Sequence, residues 1–547
     1  MQMKKIVAFN LALTIVLAGF FCFSGIKPAG AALSSNASAD VVIGQPNMTS
    51  NSENQGGSVS ASNLSMPRNP FHDGNKFFMV DSVNNRVLVY NSIPTSNNAS
   101  ADVVIGQPNM TSNSENQGGS PAANTLNSPS AVFSDGSRLF ICDSENNRVL
   151  VYNSIPTSNN ASADVVIGQS DMASSSENQG TTVAANTMFL PTSIFFDGKK
   201  LFVSDWQNQR ILIFNSVPSA NNASADVVIG QPNMTSNSEN QGGSPGANTL
   251  YYPNGVWGNG KKLFVADQWN QRVLIYNSIP TSNNASADVV IGQPNMTSNS
   301  ENQGGSVAAN TMLFPTHIFP YGPKLVVLDS ANSRVLVFDT IPTVNNASAD
   351  SVIGQANLVS GGVNQTNDES TPVANGLFIP RGVIVASQKL IVGDFYNNRA
   401  LIYNSFGPQW AINKNKSQIL SGGEKMKVKT NKVEFSGKNA EYKKGRVRIV
   451  VDGVSKKVAK IGKSGKWSAK FTLKGSSVKN IIIRYYDSKR NLQTNSETYA
   501  VGINRGSLNL ATLEKKSFSG EGDSVADQNT EAVQNHSKLK GSAAKER

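Results

Sequence analysis

The stretch "DSVNNRVLVYNS", residues 81–92, places an aspartate, two asparagines and an arginine within six positions. It recurs five more times with small changes, and its aspartate is spaced by 62 residues four times and then by 65. The segment "NASADVVIGQ" begins at residue 36 and recurs every 62 residues, the last copy being "NASADSVIGQ" from residue 346. A fixed period of this length indicates a repeat architecture in which each unit is one supersecondary structure.

Each repeat contains four short runs rich in Val, Ile, Leu, Phe and Tyr, bounded by Gly, Pro, Asn and Asp. In the second repeat these runs are "PSAVFSDG" (129–136), "SRLFICD" (137–143), "RVLVYNS" (148–154) and "ADVVIGQ" (163–169). Such runs predict strands, and four antiparallel strands per repeat make one blade of a β-propeller. No helical periodicity of useful length is present, which excludes solenoids built on helices.

The order of the strands predicts how the ring closes. The set of first, second and third strands occurs six times, and so does the fourth strand, but its first copy at 39–45 precedes every first strand. The last set, which ends near Asn404, has no fourth strand after it. We therefore predict a closed ring in which residues 39–45 complete the blade of residues 380–404, leaving no free sheet edge.

The repeat resembles a known family. The pattern "DSENNRVLVYN" after an "LFI" strand, with "P-x-x-V-F-x-D-G" ahead of it, is similar to the NHL repeat, and six units resemble a six-bladed NHL propeller. The resemblance covers about residues 36–404. It implies an all-β fold, but the family includes scaffolds, nucleic-acid binders and a few enzymes, so the fold does not specify the function.

The aspartate and arginine of the repeated hairpin are predicted to form a structural pair. The aspartate ends the second strand and can accept N–H groups of the turn, while the arginine begins the third strand and can form a charge-assisted pair with it. A calcium loop would need further acids at alternating positions and a central glycine, which the stretch lacks. The predicted pairs are Asp81 with Arg86, Asp143 with Arg148, Asp205 with Arg210, Asp267 with Arg272, Asp329 with Arg334, and Asp394 with Arg399.

The residue types expected of a propeller enzyme are scarce. Only two histidines, His72 and His317, lie in the propeller, at different positions of their repeats, whereas the amidating lyases of the family are understood to use several histidines around zinc. Six of the seven propeller glutamates lie in inter-blade loops, although the lactonases that resemble this fold place a glutamate at the channel. The residues after each repeat's proline form no acid ring; they are Arg68, Ser130, Thr192, Asn254, Thr316 and Arg381.

We therefore predict no catalytic, cofactor-binding or metal site, and no enzyme. A metal-dependent lactonase or lyase remains the alternative.

The amino-terminal segment has the pattern of a secretory signal peptide. Two lysines precede an apolar run from Ile6 to about Phe23, and small residues follow up to Ala31. We expect a signal peptide over 1–31, no transmembrane segment after its cleavage, and a secreted or cell-envelope protein. Cys142 is then the one cysteine of the mature chain, so no internal disulfide is expected.

Charge divides the rest of the chain into two regions. Residues 32–404 contain 16 Lys+Arg and 25 Asp+Glu, whereas residues 405–547 contain 29 and 12. We predict a propeller over 32–405, a linker over 406–424, a basic β-sandwich over 425–503, and a disordered polar tail over 504–547. The run "GKWSAKFTLKGSSVKNIIIRYYDSKRN" from residue 465 resembles bacterial Ig-like domains.

Binding is the predicted function. The inter-blade loops, such as "PNMTSNSENQGG" (108–119), are rich in Asn, Ser, Gln and Gly and should share one face, here called the loop face, with the Asp–Arg hairpins. A protein or carbohydrate ligand is expected there, with soluble filler as the alternative. The basic domain is expected to contact an anionic cell-envelope polymer, the alternative being a merely solvated surface; nucleic acid is disfavoured by the few aromatic residues. We expect a monomeric, exported binding or scaffold protein.

Overall fold

A computed structural model describes residues 35–404 and Phe406, and beyond them the backbone of nine strands between residues 418 and 513. The chain divides into two compact units, residues 1–410 and 411–547. The expected signal peptide over 1–31 lies outside the described residues, as do most of the expected linker and tail. The described part contains no α-helix, and none of its helical turns has the length and apolar character needed to cross a membrane.

Residues 35–404 form six antiparallel sheets of four strands each, which are the six predicted blades. The first blade contains β2 (Pro67–His72), β3 (Phe77–Asp81), β4 (Arg86–Tyr90) and β5 (Val103–Ile105). The second contains β6 (Pro129–Ser134), β7 (Leu139–Asp143), β8 (Arg148–Tyr152) and β9 (Val165–Ile167). The third contains β10 (Pro191–Phe196), β11 (Leu201–Asp205), β12 (Arg210–Phe214) and β13 (Val227–Ile229).

The remaining blades follow the same order. The fourth contains β14 (Pro253–Gly258), β15 (Leu263–Asp267), β16 (Arg272–Tyr276) and β17 (Val289–Ile291). The fifth contains β18 (Pro315–Tyr321), β19 (Lys324–Asp329), β20 (Arg334–Phe338) and β21 (Ser351–Ile353), and the sixth begins with β22 (Gly382–Ala386), β23 (Lys389–Asp394) and β24 (Arg399–Tyr403). The first strands of neighbouring blades contact each other around the whole ring and therefore surround its axis.

The sixth blade is completed by the amino-terminal strand β1 (Val41–Ile43). It pairs antiparallel with β24, placing Val41 opposite Ile402 and Val42 opposite Leu401. This confirms the predicted closure, because the strand order of the sheet is β1, β24, β23, β22. The outer edge of β24 is thereby covered.

Single turns of 3₁₀-helix occur in the loops and hairpins of the loop face. Those in the inter-blade loops are irregular, because they contain residues with a left-handed backbone such as Asn116 (φ 46°) and Gln117 (φ 57°). They are Glu53–Gly56, Glu115–Gly118, Glu177–Gly180, Glu239–Gly242, Glu301–Gly304 and Val363–Gln365. Those in the hairpins between second and third strands are Ser144–Asn146, Trp206–Asn208, Gln268–Asn270 and Phe395–Asn397.

Aromatic side chains of the innermost strands lie around the axis of the ring, near the ends of these strands that are opposite the loop face. Phe71, Phe133, Phe195, Trp257 and Phe319 occupy the same position, four residues after the proline, in the first five blades. The rings of Phe71 and Trp257, from opposite blades, lie 6.2 Å apart between centroids, and Trp257 lies 5.1 Å from Phe195. Because Phe71 pairs with Phe78, one residue before β2 ends at His72, these rings meet across the axis toward the face opposite the loop face.

The second unit consists of two antiparallel sheets. One contains β25 (Gln418–Ile419), β26 (Lys425–Lys429), β27 (Lys432–Lys438) and β30 (Lys466–Thr472). The other contains β28 (Arg446–Val451), β29 (Val454–Lys460), β31 (Lys479–Tyr486), β32 (Leu492–Asn504) and β33 (Ser507–Leu513).

Two of these strands lie where none was expected. β25 falls within the predicted linker, and β33 falls within the predicted tail, where "SLNLATL" has the alternation of a strand.

Candidate ligand-binding face

The aspartate and arginine of each hairpin are buried beneath the loop face. In the second blade Arg148 Nε donates to Asp143 Oδ2 at 2.7 Å, and neither side chain has any exposure. The Nη atoms of Arg148 donate to the backbone carbonyls of Met172, Ala122 and Thr125. The other five pairs repeat this ion pair at 2.7–2.8 Å. Each arginine thus connects its hairpin by hydrogen bonds to the inter-blade loop before the blade and to the one after it.

The aspartate is held by two further donors. Asp143 accepts the N–H of Asn127 at 2.7 Å and the amide of Asn146 at 2.8 Å. Asn146 and Asn116 donate to each other's side-chain oxygens at 2.8 and 3.1 Å. Burial raises the pKa of Asp143, and the charge of Arg148 opposes that shift. Because these side chains are fully buried, a ligand cannot contact them. The six pairs therefore stabilise the fold, and a ligand would have to bind to other residues.

Many loop amides that were expected to face a ligand are turned inward. Gln107 Nε2 donates to the carbonyls of Asn85 and Ser114 at 3.0 and 2.8 Å, and Gln117 Nε2 donates to Asn160 Oδ1 at 2.7 Å. The residues equivalent to Gln107 are buried in all six repeats; they are Gln45, Gln107, Gln169, Gln231, Gln293 and Gln355. The polar composition of the loops therefore largely reflects their own hydrogen bonding.

The residue before each blade's proline has a left-handed backbone. These residues are Met66, Ser128, Leu190, Tyr252, Phe314 and Ile379, with φ between 44° and 52°. Such φ values are uncommon for residues other than glycine, and most strained for β-branched Ile379. The N–H of Ser128 donates to Asn85 Oδ1 at 2.7 Å, and that of Leu190 donates to Asn147 Oδ1 at 2.8 Å. A side chain of the preceding blade therefore holds this conformation, and stored strain of this kind clusters at functional sites.

The differences between repeats are concentrated around the mouth, which we define as the loop-face end of the channel, where the innermost strands begin. The 22 residues "NASADVVIGQPNMTSNSENQGG" are identical in four of the six repeats. By contrast, the pair before the proline reads SM, NS, FL, YY, LF and FI, and the pair after it reads RN, SA, TS, NG, TH and RG. The pair after the hairpin aspartate reads SV, SE, WQ, QW, SA and FY. At each of these three positions all six blades have a different pair of residues. The backbone and loops are thus nearly the same in every blade, whereas the side chains at the mouth differ.

Aromatic side chains occupy these variable positions in blades three to five. The aromatic cluster consists of Trp206, Tyr251, Tyr252, Trp269 and Phe314. Centroid distances are 4.5 Å from Trp206 to Tyr252, 5.3 Å from Tyr252 to Trp269, and 5.3 Å from Trp269 to Phe314. All five are at least partly exposed, and Trp269 is 41% exposed. The five rings therefore form one contiguous cluster that is partly exposed to solvent.

Hydroxyl and amide groups of the mouth join the blades. Ser130 Oγ donates to the carbonyl of Pro191 at 3.0 Å, and Thr192 Oγ1 donates to the carbonyl of Asn254 at 2.9 Å. Near the aromatic cluster, Gln268 Oε1 accepts hydrogen bonds from Asn254 Nδ2 and from the indole of Trp206, both at 3.1 Å. These bonds fix the walls of the mouth between neighbouring blades.

The two propeller histidines lie apart. His317 is buried and approaches Asn69, with 3.3 Å between His317 Nε2 and Asn69 Nδ2. Burial lowers the pKa of His317 to about 4, although a hydrogen bond with the backbone of Val383 opposes this, so the ring is neutral at pH 7. His72 instead accepts the N–H of Gly74 in the turn at the opposite face. Within residues 35–404, no three His, Cys, Asp or Glu side chains come together in a group that could hold a metal ion.

Comparison with known proteins adds only distant structural similarity. No family model matches the chain, and no curated protein is similar to it in sequence. A computationally designed protein, Ika8, is 7% identical with a TM-score of 0.30, over 87% of this chain and 100% of that one. The PQQ-bound aldose sugar dehydrogenase of Streptomyces coelicolor is 12% identical with a TM-score of 0.32, over 63% and 96%. The Myxococcus xanthus glutaminyl cyclase is 10% identical with a TM-score of 0.27, over 52% and 91%. The description as a six-bladed propeller therefore rests on the strand order itself.

Proposed function

We propose that this protein is an exported, non-enzymatic binding protein whose propeller, of NHL type, binds a carbohydrate at the mouth of its loop face. The observation that supports this is the aromatic cluster. Half-exposed Trp and Tyr rings offer a flat apolar surface with polar edges, which suits the C–H face of a sugar ring. Hydroxyl and amide groups lie beside these rings and suit the hydroxyls of a sugar.

The composition of the mouth also suits a small ligand such as a carbohydrate. Aromatic rings occupy variable positions of blades three to five, and polar side chains such as Ser130 and Thr192 lie on the innermost strands. In small-ligand sites a few polar groups among apolar and aromatic ones set the orientation of the ligand. Variation between repeats makes the six-fold frame asymmetric at the mouth, as recognition of an asymmetric ligand requires.

We further propose that the second unit is an Ig-like module that contacts anionic envelope material. Residues 414–490 carry 22 Lys+Arg against 5 Asp+Glu. Such an excess favours salt-sensitive binding of polyanions. β28 and β29 of this unit pair antiparallel, with Val451 opposite Val454, as the Asp-Gly sequence between them predicts.

A glycan array, followed by calorimetry on the best oligosaccharide, tests the proposal. Trp269→Ala should weaken binding at least tenfold, since central aromatic residues are frequent hot spots. Val83→Ala is the matched control: Val83 occupies the same repeat position in the first blade and is 42% exposed. Absence of binding to every oligosaccharide, or equal affinities for the two variants, would refute carbohydrate recognition by the cluster.

A further inference from the structure

Two arginines lie side by side at the mouth, across from the aromatic cluster. Arg68 and Arg381 each follow the proline of their blade, the first and the sixth, which are neighbours in the closed ring. The equivalent residues of the other four blades are uncharged; they are Ser130, Thr192, Asn254 and Thr316. Positive charge at this position is therefore confined to blades one and six, where Phe395 and Tyr396 also lie, whereas the aromatic cluster spans blades three to five.

Among the described residues no carboxylate lies within salt-bridge distance of this pair, although the charge of Glu145, in the hairpin of the second blade, acts to raise the pKa of Arg68. Among the residues that the structure describes, neither guanidinium takes part in a salt bridge or a side-chain hydrogen bond, and the Nε atoms of both are buried without a partner. Both instead pack over the ring of Phe395, with Cζ at 5.0 Å for Arg68 and 5.5 Å for Arg381. Burial and the charge of Arg381 lower the pKa of Arg68 to about 10, and burial lowers the pKa of Arg381 as well. Arginine side chains nevertheless stay protonated in proteins at pH 7.

The propeller contains enough acidic residues to pair with Arg68 and Arg381. Residues 32–404 contain 25 Asp+Glu and only 16 Lys+Arg, and the six hairpin arginines all have an aspartate partner. Two like charges in partly desolvated surroundings are unfavourable. A residue such as Met would pack on Phe395 without that cost.

The backbone of the sixth blade brings the two arginines together. A Cβ on Gly393 would lie 2.7 Å from the carbonyl oxygen of Arg68, and a Cβ on Gly382 would lie 2.6 Å from Cα of Asn69. Only glycine fits at such distances, so Gly382 and Gly393 allow the first and sixth blades to approach closely beside the pair. The five other blades have a larger residue at the position of Gly393.

We propose that Arg68 and Arg381 bind an oxyanion substituent, a carboxylate or a sulfate, of the sugar that the aromatic cluster holds. The inference rests on the proposed function and specifies its ligand as an acidic glycan. A guanidinium group can form paired hydrogen bonds with two oxygens of a carboxylate or of a tetrahedral oxyanion, and such an anion would supply a counter-charge in direct contact. The sugar ring would lie toward Trp269 and Tyr252, with its acidic group toward blades one and six.

An array of neutral, uronic-acid and sulfated oligosaccharides tests this inference and distinguishes carboxylate from sulfate. The affinity of the best acidic oligosaccharide is then compared with that of its carboxyl-reduced or desulfated form. We expect the acidic form to bind at least tenfold more tightly, with the difference shrinking at high salt. Arg68→Gln and Arg381→Gln should each remove most of that difference, while Arg68→Lys should retain part of it.

Arg138→Gln is the matched control, since it removes one surface charge that is already paired with Asp135 in the turn at the opposite face. It should leave the preference unchanged. The unfolding midpoint of each variant shows whether the fold is intact. If an oligosaccharide binds and depends on Trp269, but the acidic and neutral forms bind equally, only this inference fails. If no oligosaccharide binds, the proposed function fails and this inference fails with it.

Discussion

Replacement of one hairpin arginine should destabilise the propeller far more than replacement of a surface arginine in the same blade. Arg148→Met removes a buried guanidinium and leaves the carboxylate of Asp143 without its ion-pair partner. It also leaves the carbonyls of Met172, Ala122 and Thr125 without this donor. Breaking a buried pair on one side costs about 3–5 kcal/mol, and the total stability of a domain is only about 5–15 kcal/mol.

Arg138→Met is the control for the same chemical change. Arg138 pairs with Asp135 but is 31% exposed, and an exposed pair contributes about 1 kcal/mol or less. Urea unfolding of the full chain, followed by far-UV circular dichroism, measures both free energies of unfolding. A cost for Arg148→Met within about 1 kcal/mol of that for Arg138→Met would refute the reasoning, because burial would then not set the strength of the pair.

A double variant separates the ion pair from packing. Asp143→Leu combined with Arg148→Met removes both charges and leaves no uncompensated carboxylate. It should be less destabilised than the sum of the two single variants, by up to about 3 kcal/mol. Strict additivity would show that the two side chains contribute independently, contrary to the geometry.

Two further predictions concern pH and closure. The folded state protonates His317 only near pH 4, whereas the unfolded chain does so near its ordinary pKa of about 6.5. At His317 the unfolded state therefore binds more protons between these values, and the contribution of His317 to the free energy of unfolding should fall by up to about 3 kcal/mol as pH drops from 7 to 4. His317→Gln should remove this contribution and so change the pH dependence measured in urea titrations; an unchanged pH dependence would contradict the assignment. Val42→Asp places a charge on the buried closing strand β1 and should strongly lower the midpoint temperature of thermal unfolding. Val344→Asp is the control, since Val344 is 66% exposed and the midpoint should stay nearly unchanged. Equal midpoints for the two variants would contradict the conclusion that β1 stabilises the closed ring.

The frame of the molecule could be predicted because it is repeated. The 62-residue period, the four strand signals and the unmatched first copy of "ADVVIGQ" are sufficient to predict six blades and their closure. The ion pair of Asp143 with Arg148 could be predicted for the same reason. A pair that recurs in every blade is expected to stabilise the fold that all blades have in common. Local propensity, pattern and ring geometry agree at these positions.

The mouth could not be predicted in the same way, because it depends on what the repeats do not share. Nothing local indicates that Tyr252 adopts a positive φ, as that conformation is held by Gln209 of the preceding blade. The contact of Arg68 and Arg381 with one phenylalanine requires the ring to be closed first. The inward orientation of the loop amides also depends on partners some 20 to 40 residues away, such as Asn85 for Gln107 and Asn160 for Gln117. Comparison of the repeats with one another would have identified the variable pairs.

The position of the closing strand has a consequence for how such genes change. Each 62-residue unit begins with the outermost strand of one blade and ends with the three inner strands of the next. Duplication or loss of one unit by recombination between near-identical copies would therefore add or remove a whole blade and leave β1 still able to pair with the last one. The number of blades can change by one in a single genetic event, while the variable pairs of each copy can later diverge independently.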